Sequence, residues 1–263
     1  MESALTPTEF SLVQQGFSLV IAAMGAAFVF FLGARSQVGA KYRPALLISA
    51  VVVGVACYHY VRIFDSWGAA YIFSNGMYMA NPDYAFNDAY RYADWLVTVP
   101  LLLLEVIAVL ALARNVQSKM FAKLTVASVL MLVLGYPGEV TTDMGARAFW
   151  GGVSSIPFWY ILYVLWVELG ESIKKQPERV QGLIKGLRLL LLASWGFYPI
   201  AYALPVLGVD GTAATVGVQL GYTVADILAK PVYGLFIYAI AKAKTEADEA
   251  AQSPSDSPTL RAA

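Results

Sequence analysis

The chain has 263 residues, of which 59% are hydrophobic and 14% charged, and its 18 basic residues balance 18 acidic ones. A soluble domain carries about 25% charged residues, so the deficit points to a membrane protein, and a net charge of zero gives no basis for a nucleic-acid partner. The single cysteine, Cys57, excludes an internal disulfide; within "LLISAVVVGVACYHYV" it reads as a small packing residue.

A helix needs roughly 20 mostly apolar residues, at about 1.5 Å each, to cross about 30 Å of hydrocarbon. Seven segments meet this requirement: 10–33, 43–64, 86–112, 120–139, 147–169, 182–207 and 214–242. The expected fold class is therefore all-α, a seven-transmembrane-helix bundle filling residues 1–244. The polar stretch 245–263, rich in Ser and Pro, reads as a disordered tail. No cleavable signal peptide is expected, because the first apolar run is too long, lacks a basic leader and ends at Arg35.

Basic residues mark the cytoplasmic connections of membrane proteins. The first loop carries Arg35, Lys41 and Arg43, the third Arg114 and Lys119, and the fifth Lys174, Lys175 and Arg179, while Lys242 and Lys244 open the tail. The second loop instead carries Asp65, Asp83 and Asp88, the fourth Asp143 against Arg147, and the sixth only Asp210. This alternation places the N-terminus outside and the C-terminus in the cytoplasm. Within the second loop, "AYIFSNGMYMA" sets β-favouring residues on both sides of Asn75-Gly76, a hairpin signal. It reads either as a lid over the outer face or as an ordinary surface hairpin.

Ionisable residues at bilayer depth are costly and mark functional sites by default. The second span holds His59, the chain's only histidine; the third holds Arg91, Asp94 and Glu105; the seventh holds Asp226 and Lys230. Eleven residues separate Asp94 from Glu105, about 16 Å of helical rise and within about 20° of one direction. Thr98 lies one turn inside Asp94 on nearly the same line. These make a column of proton-handling groups on one helix, with unrelated charges neutralised by packing as the plainer reading. A buried amine near carboxylates is a good place for a protonated Schiff base, since an amine adds to aldehydes. A simple Lys–Asp ion pair holding the bundle together would give the same residues. Asp94, Asp226, Arg91 and a protonated Schiff base on Lys230 sum to zero charge. Glu105 has no partner within its own apolar run and is expected to rest protonated. Trp95 follows Asp94, and Trp195, Tyr198 and Tyr202 fall at i, i+3 and i+7 with Pro199 between them, a stripe that suits either core packing or a flat ligand.

The segments "RYADWLVTVPLLLLE", "WGFYPIAY", "DILAKPVYG" and "YHYVRIF" resemble those of the microbial (type 1) rhodopsins, most closely the outward proton pumps of the proteorhodopsin and xanthorhodopsin group. The resemblance covers nearly all of residues 10–242. It implies all-trans retinal bound to Lys230 as a Schiff base, Asp94 as primary counterion and proton acceptor, and Asp226 as second counterion. It also implies that Arg91 orders the exit path and that Glu105 returns a proton from the cytoplasmic side, with Thr98 between the two carboxylates. Leu102 stands at a colour-tuning position and implies green absorption; His59 matches a histidine that hydrogen-bonds the acceptor and couples its titration to its own. Gly151 matches a glycine that opens a window for a carotenoid antenna in the xanthorhodopsin branch, although small residues at helix contacts are also ordinary packing.

The function implied is a light-driven outward proton pump in the bacterial plasma membrane, with a sensory photoreceptor of the same fold as the alternative. No enzymatic reaction and no metal site are expected, and no Walker-type phosphate loop is present. The expected partners are membrane lipid, protons and further copies of the chain. Glu139 and Asp143, near the outer end of the fourth span, are proton-release candidates by location.

Overall fold

The computed structural model describes residues 4–209 and 211–252; Asp210 and the stretch 253–263 of the expected tail lie outside the described residues. Among the described residues, seven helices are long and apolar enough to cross a membrane. They are α1 (Pro7–Ala34), α2 (Arg43–Ala69), α3 (Ala89–Leu110), α4 (Arg114–Val140), α5 (Met144–Lys174), α6 (Glu178–Ala203) and α7 (Gly211–Gln252). A multi-pass membrane protein follows.

Local chemistry sets several of the boundaries. Thr6 caps α1 in a reciprocal box with Glu9, and Pro7 occupies the first helical position, where its missing N–H costs nothing. Helix α3 ends at Ala111, which adopts the left-handed conformation (φ 50°) that commonly closes helices. Asn75 and Gly76 both have positive φ (52° and 80°) and join β1 (Tyr71–Ser74) to β2 (Met77–Ala80), as the Asn-Gly signal requires. The hairpin packs against α1 and α2: Leu5 bridges to Tyr78, and Phe10 stacks on the Tyr78 ring at 3.8 Å.

Each helix packs on the next, and α7 returns to α1 and α2 to close the ring. Helices α3 and α7 are the most enclosed, with 67% and 56% of their apolar windows buried, against 28% for α1. The two helices carrying most of the intramembrane charge are therefore the two most shielded from lipid. Helix α7 contains a π-helical turn, Leu228–Val232, around Lys230 and Pro231. Proline removes a backbone donor there, and the chain recovers a bond one residue further along, from the Tyr233 N–H to the Leu228 carbonyl.

The termini of the spans differ from the apolar windows. Helix α6 stops at Ala203 and is followed by turns through Gly208 (φ 85°), short of the expected end at 207. Helix α7 runs eight residues into the stretch read as disordered. "TEADEAAQ" is rich in helix formers, and it has partners: Asp248 takes Lys41 Nζ and Tyr42 Oη, each at 2.8 Å, Glu246 pairs with Arg179, and Thr245 Oγ1 accepts the Gly39 N–H. Polarity marked that segment as outside the membrane, not as unfolded.

Candidate functional site

The centre of the site is Lys230 Nζ, which lies 2.7 Å from Asp94 Oδ2 on α3 and 2.6 Å from Asp226 Oδ1 on its own helix. All three residues are buried. The two carboxylates have unequal surroundings. Asp226 also receives Tyr60 Oη at 2.6 Å, Tyr198 Oη at 2.5 Å and Trp95 Nε1 at 3.4 Å. Asp94 holds the amine through Oδ2 alone, and its buried Oδ1 has no hydrogen-bond partner among the described residues.

Arg91 touches neither carboxylate. Its guanidinium donates to Tyr60 Oη at 3.0 Å and to Gln219 Oε1, and lies over the rings of Phe17, Tyr60 and Tyr222. Tyr60 thus links the arginine to Asp226, and the charge-balanced group expected from sequence is assembled through a phenol rather than by direct contact. Gln219 continues the chain to Asp88 at 3.3 Å.

His59 lies beside Asp94. The resemblance implies a hydrogen bond to Asp94, but Nδ1 stands 3.9 Å from Asp94 Oδ1 and donates instead to the Val55 carbonyl at 3.0 Å. The ring is beside the acceptor while its donor is spent on its own helix. Thr98 likewise turns back, donating to the Asp94 carbonyl at 2.9 Å.

Glu105 is buried about three helical turns beyond Asp94 along α3. Its Oε2 lies 3.0 Å from Ser49 Oγ on α2, and Oε1 has no hydrogen-bond partner among the described residues. Ser49 Oγ is also 3.2 Å from the Ala45 carbonyl. A hydroxyl has one proton and two lone pairs, so with that proton on the carbonyl it accepts a hydrogen bond from the protonated acid, and after rotation it donates to the carboxylate.

Next to Lys230 is a cavity of about 130 Å³. Trp95, Leu102, Gly151, Trp195, Tyr198, Pro199 and Tyr202, the residues singled out from sequence, all line it together with Lys230. An apolar pocket that reaches a buried amine suits a flat aldehyde-derived group. Gly151 is in close contact with Tyr202: a Cβ there would come within 2.7 Å of the tyrosine ring. The space the glycine leaves is thus partly taken by a side chain of α6.

At the hairpin end, the Glu139 side chain is 5% exposed, pairs with Arg147 at 3.4 Å and receives Tyr222 Oη at 3.3 Å. Asp143 instead caps α5, accepting the Ala146 N–H, so Arg147 pairs with Glu139 and not with Asp143. Sequence reasoning missed Tyr60, Gln219 and Ser49. Tyr60 and Ser49 were visible as polar groups in an apolar run, but nothing in the sequence named their partners.

The model of the bacteriorhodopsin-like protein family matches residues 11–244. The chain belongs to this family. This microbial rhodopsin is 34% identical over 228 residues to a green-light absorbing proteorhodopsin of Gamma-proteobacterium EBAC31A08, covering 86% of this chain and 84% of the relative. A blue-light absorbing proteorhodopsin of Gamma-proteobacterium Hot 75m4 is 31% identical over 227 residues, with the same coverage of both chains. Among solved structures, a thermophilic rhodopsin superposes with a TM-score of 0.90 at 54% identity, over 94% of this rhodopsin and 99% of that chain. Xanthorhodopsin, described as a light-driven ion pump with dual chromophore, gives 0.89 at 50% identity, over 95% and 99%.

Proposed function

We propose that this rhodopsin is a light-driven outward proton pump of the bacterial plasma membrane, with its N-terminus outside and its C-terminus in the cytoplasm. All-trans retinal, joined to Lys230 Nζ as a protonated Schiff base, supplies light absorption and a light-triggered change in where the N–H points. The observation that carries the reading is the inequality of the two carboxylates at Nζ. Asp226, saturated by three further donors, stays a carboxylate because an ionised acid is an acceptor only. Asp94 has an oxygen free to take a proton.

The chain's own groups then give the direction. Asp94 receives the proton from Nζ on the hairpin side, and Tyr60, Arg91 and Gln219 continue the polar path outward toward Asp88. Glu105 refills Nζ from the opposite side, and Ser49 stabilises its carboxyl in either protonation state. Moving one charge against 100 mV takes about 2.3 kcal/mol, which light supplies. Leu102 on the cavity wall supports green absorption. Gly151 on the same wall, together with likeness to a dual-chromophore relative, supports a place for a carotenoid antenna; excitation of an added carotenoid should then drive the photocycle.

The deciding experiment is to express the chain with retinal, illuminate unbuffered cells and record external pH. Acidification abolished by an uncoupler is expected. A photocycle without any pH change would reject the pump.

A further inference from the structure

The stretch between Lys230 and Glu105 is apolar. Helix α3 contributes buried Val99, Leu102, Leu103 and Val106, and α7 contributes Ala229 and Ile237. Glu105 is about 16 Å along the helix from Asp94, which holds Nζ. A hydrogen bond spans only about 3 Å between heavy atoms, so no direct bond joins the two groups.

Beyond Thr98, whose hydroxyl turns back to the Asp94 carbonyl, Tyr233 brings a polar atom into this interval. Tyr233, 1% exposed, stands three residues beyond Lys230 and just past the π-helical turn. Its hydroxyl donates to the Leu102 carbonyl at 3.1 Å, one turn of α3 short of Glu105. With its proton committed to that carbonyl, Oη keeps two lone pairs. Leu102 stands three residues before Glu105 on α3, and Glu105 Oε1 has no hydrogen-bond partner among the described residues. Two under-used polar atoms, on adjacent helices, thus lie on the side of Lys230 away from the hairpin. A water molecule buried in protein needs two to four such partners.

We propose that Tyr233 is a positioning residue for the return of the proton: its hydroxyl, pinned on the Leu102 carbonyl, anchors the water through which the Glu105 proton reaches Lys230 Nζ. The inference rests on the reading of Glu105 as donor. The carboxylic O–H of Glu105 breaks as its proton bonds to the water oxygen, and that water releases one of its own protons toward Nζ. Glu105 is left as a carboxylate until a proton from the cytoplasmic side restores it. Tyr233 stays neutral and exchanges no proton.

The test compares Tyr233→Phe with Glu105→Gln. In the Phe variant, reprotonation after a flash should slow about tenfold, the rate equivalent of about 1.4 kcal/mol from one water-mediated bond. Dark colour and the earlier transfer to Asp94 should be unchanged. In retinal-free membranes, the infrared carboxylic band that disappears in Glu105→Gln should shift in Tyr233→Phe, because the carboxyl loses its water partner. Unchanged reprotonation, or slowed reprotonation with an unmoved Glu105 band, would overturn the proposal; the second result would reduce Tyr233 to a packing role. If the Phe variant does not take up retinal, the band in the retinal-free protein decides alone. If Glu105→Gln itself reprotonates at the normal rate, the donor reading fails first and this inference fails with it.

Discussion

At the scale of single residues, the proposed pump depends on how hydrogen-bond donors are shared out around Lys230. Four donors converge on Asp226 and one on Asp94, so equal chemistry acquires unequal roles. Asp94→Asn removes a negative charge beside Nζ and the acceptor together: absorption should move to the red at neutral pH and light-driven acidification should stop. Continued pumping in that variant would contradict the acceptor role. Glu105→Gln keeps the shape and the Ser49 contact but removes the acidic proton. Flash spectroscopy should find reprotonation slowed by about 10²-fold or more, the usual scale of a lost general acid, with the dark spectrum almost unchanged. The ionisable residues themselves were legible in the sequence because charge inside an apolar run is conspicuous. Their partners were not, since Tyr60, Gln219 and Ser49 reach them from other helices, and periodicity along one chain does not report the rotation of another. His59 illustrates the same limit: its position beside Asp94 followed from a motif, while the use of Nδ1 by the Val55 carbonyl was decided by local geometry.

At the scale of elements, the helices approach each other where side chains are missing. Gly234 on α7 faces the Phe31 ring of α1, and a Cβ there would collide with it. Gly234→Ala should therefore overpack the α1–α7 contact and cost about 1–3 kcal/mol, seen as bleaching at lower temperature. Gly33, on α1 with nothing within 4 Å of a built Cβ, is the contrast. Gly33→Ala should be neutral or stabilising by about 0.5–1 kcal/mol, since alanine is the better helix former. The seven spans and the Asn-Gly hairpin could be read from apolar length and turn chemistry. The extent of α7 could not, because a window tuned to hydrocarbon stops where the chain leaves lipid, while a helix stops only where its backbone and side chains lose partners.

At the scale of the whole molecule, the Lys and Arg asymmetry of the loops implies one orientation. The exposed hairpin, with Phe73 at 58% accessibility, should be cut by protease added to intact cells. The α7 end should be cut only in inverted vesicles. The opposite pattern would reverse the direction of transport proposed here. The arrangement of the ring matters for the same reason: the inner helices α3 and α7 carry Asp94, Glu105 and Lys230, so the proposed proton path would run along their shared seam, insulated by the lipid-facing helices.

The π-helical turn at Leu228–Val232 also constrains how this chain can change. A wide turn amounts to one surplus residue absorbed locally in an otherwise regular helix, and at about 100° per residue it sets the bearing of the residues inside it, Lys230 among them. Deleting a single residue there would let the backbone close into ordinary α-helix at little local cost. The Tyr233 N–H, which already bonds the Leu228 carbonyl, would keep that partner, so Ile237, Ile240 and Lys244 would stay near their present neighbours and the displacement would fall on Lys230 inside the turn. Loops of this protein should accept gained or lost residues over time, whereas this five-residue segment should keep a fixed length in any functional descendant.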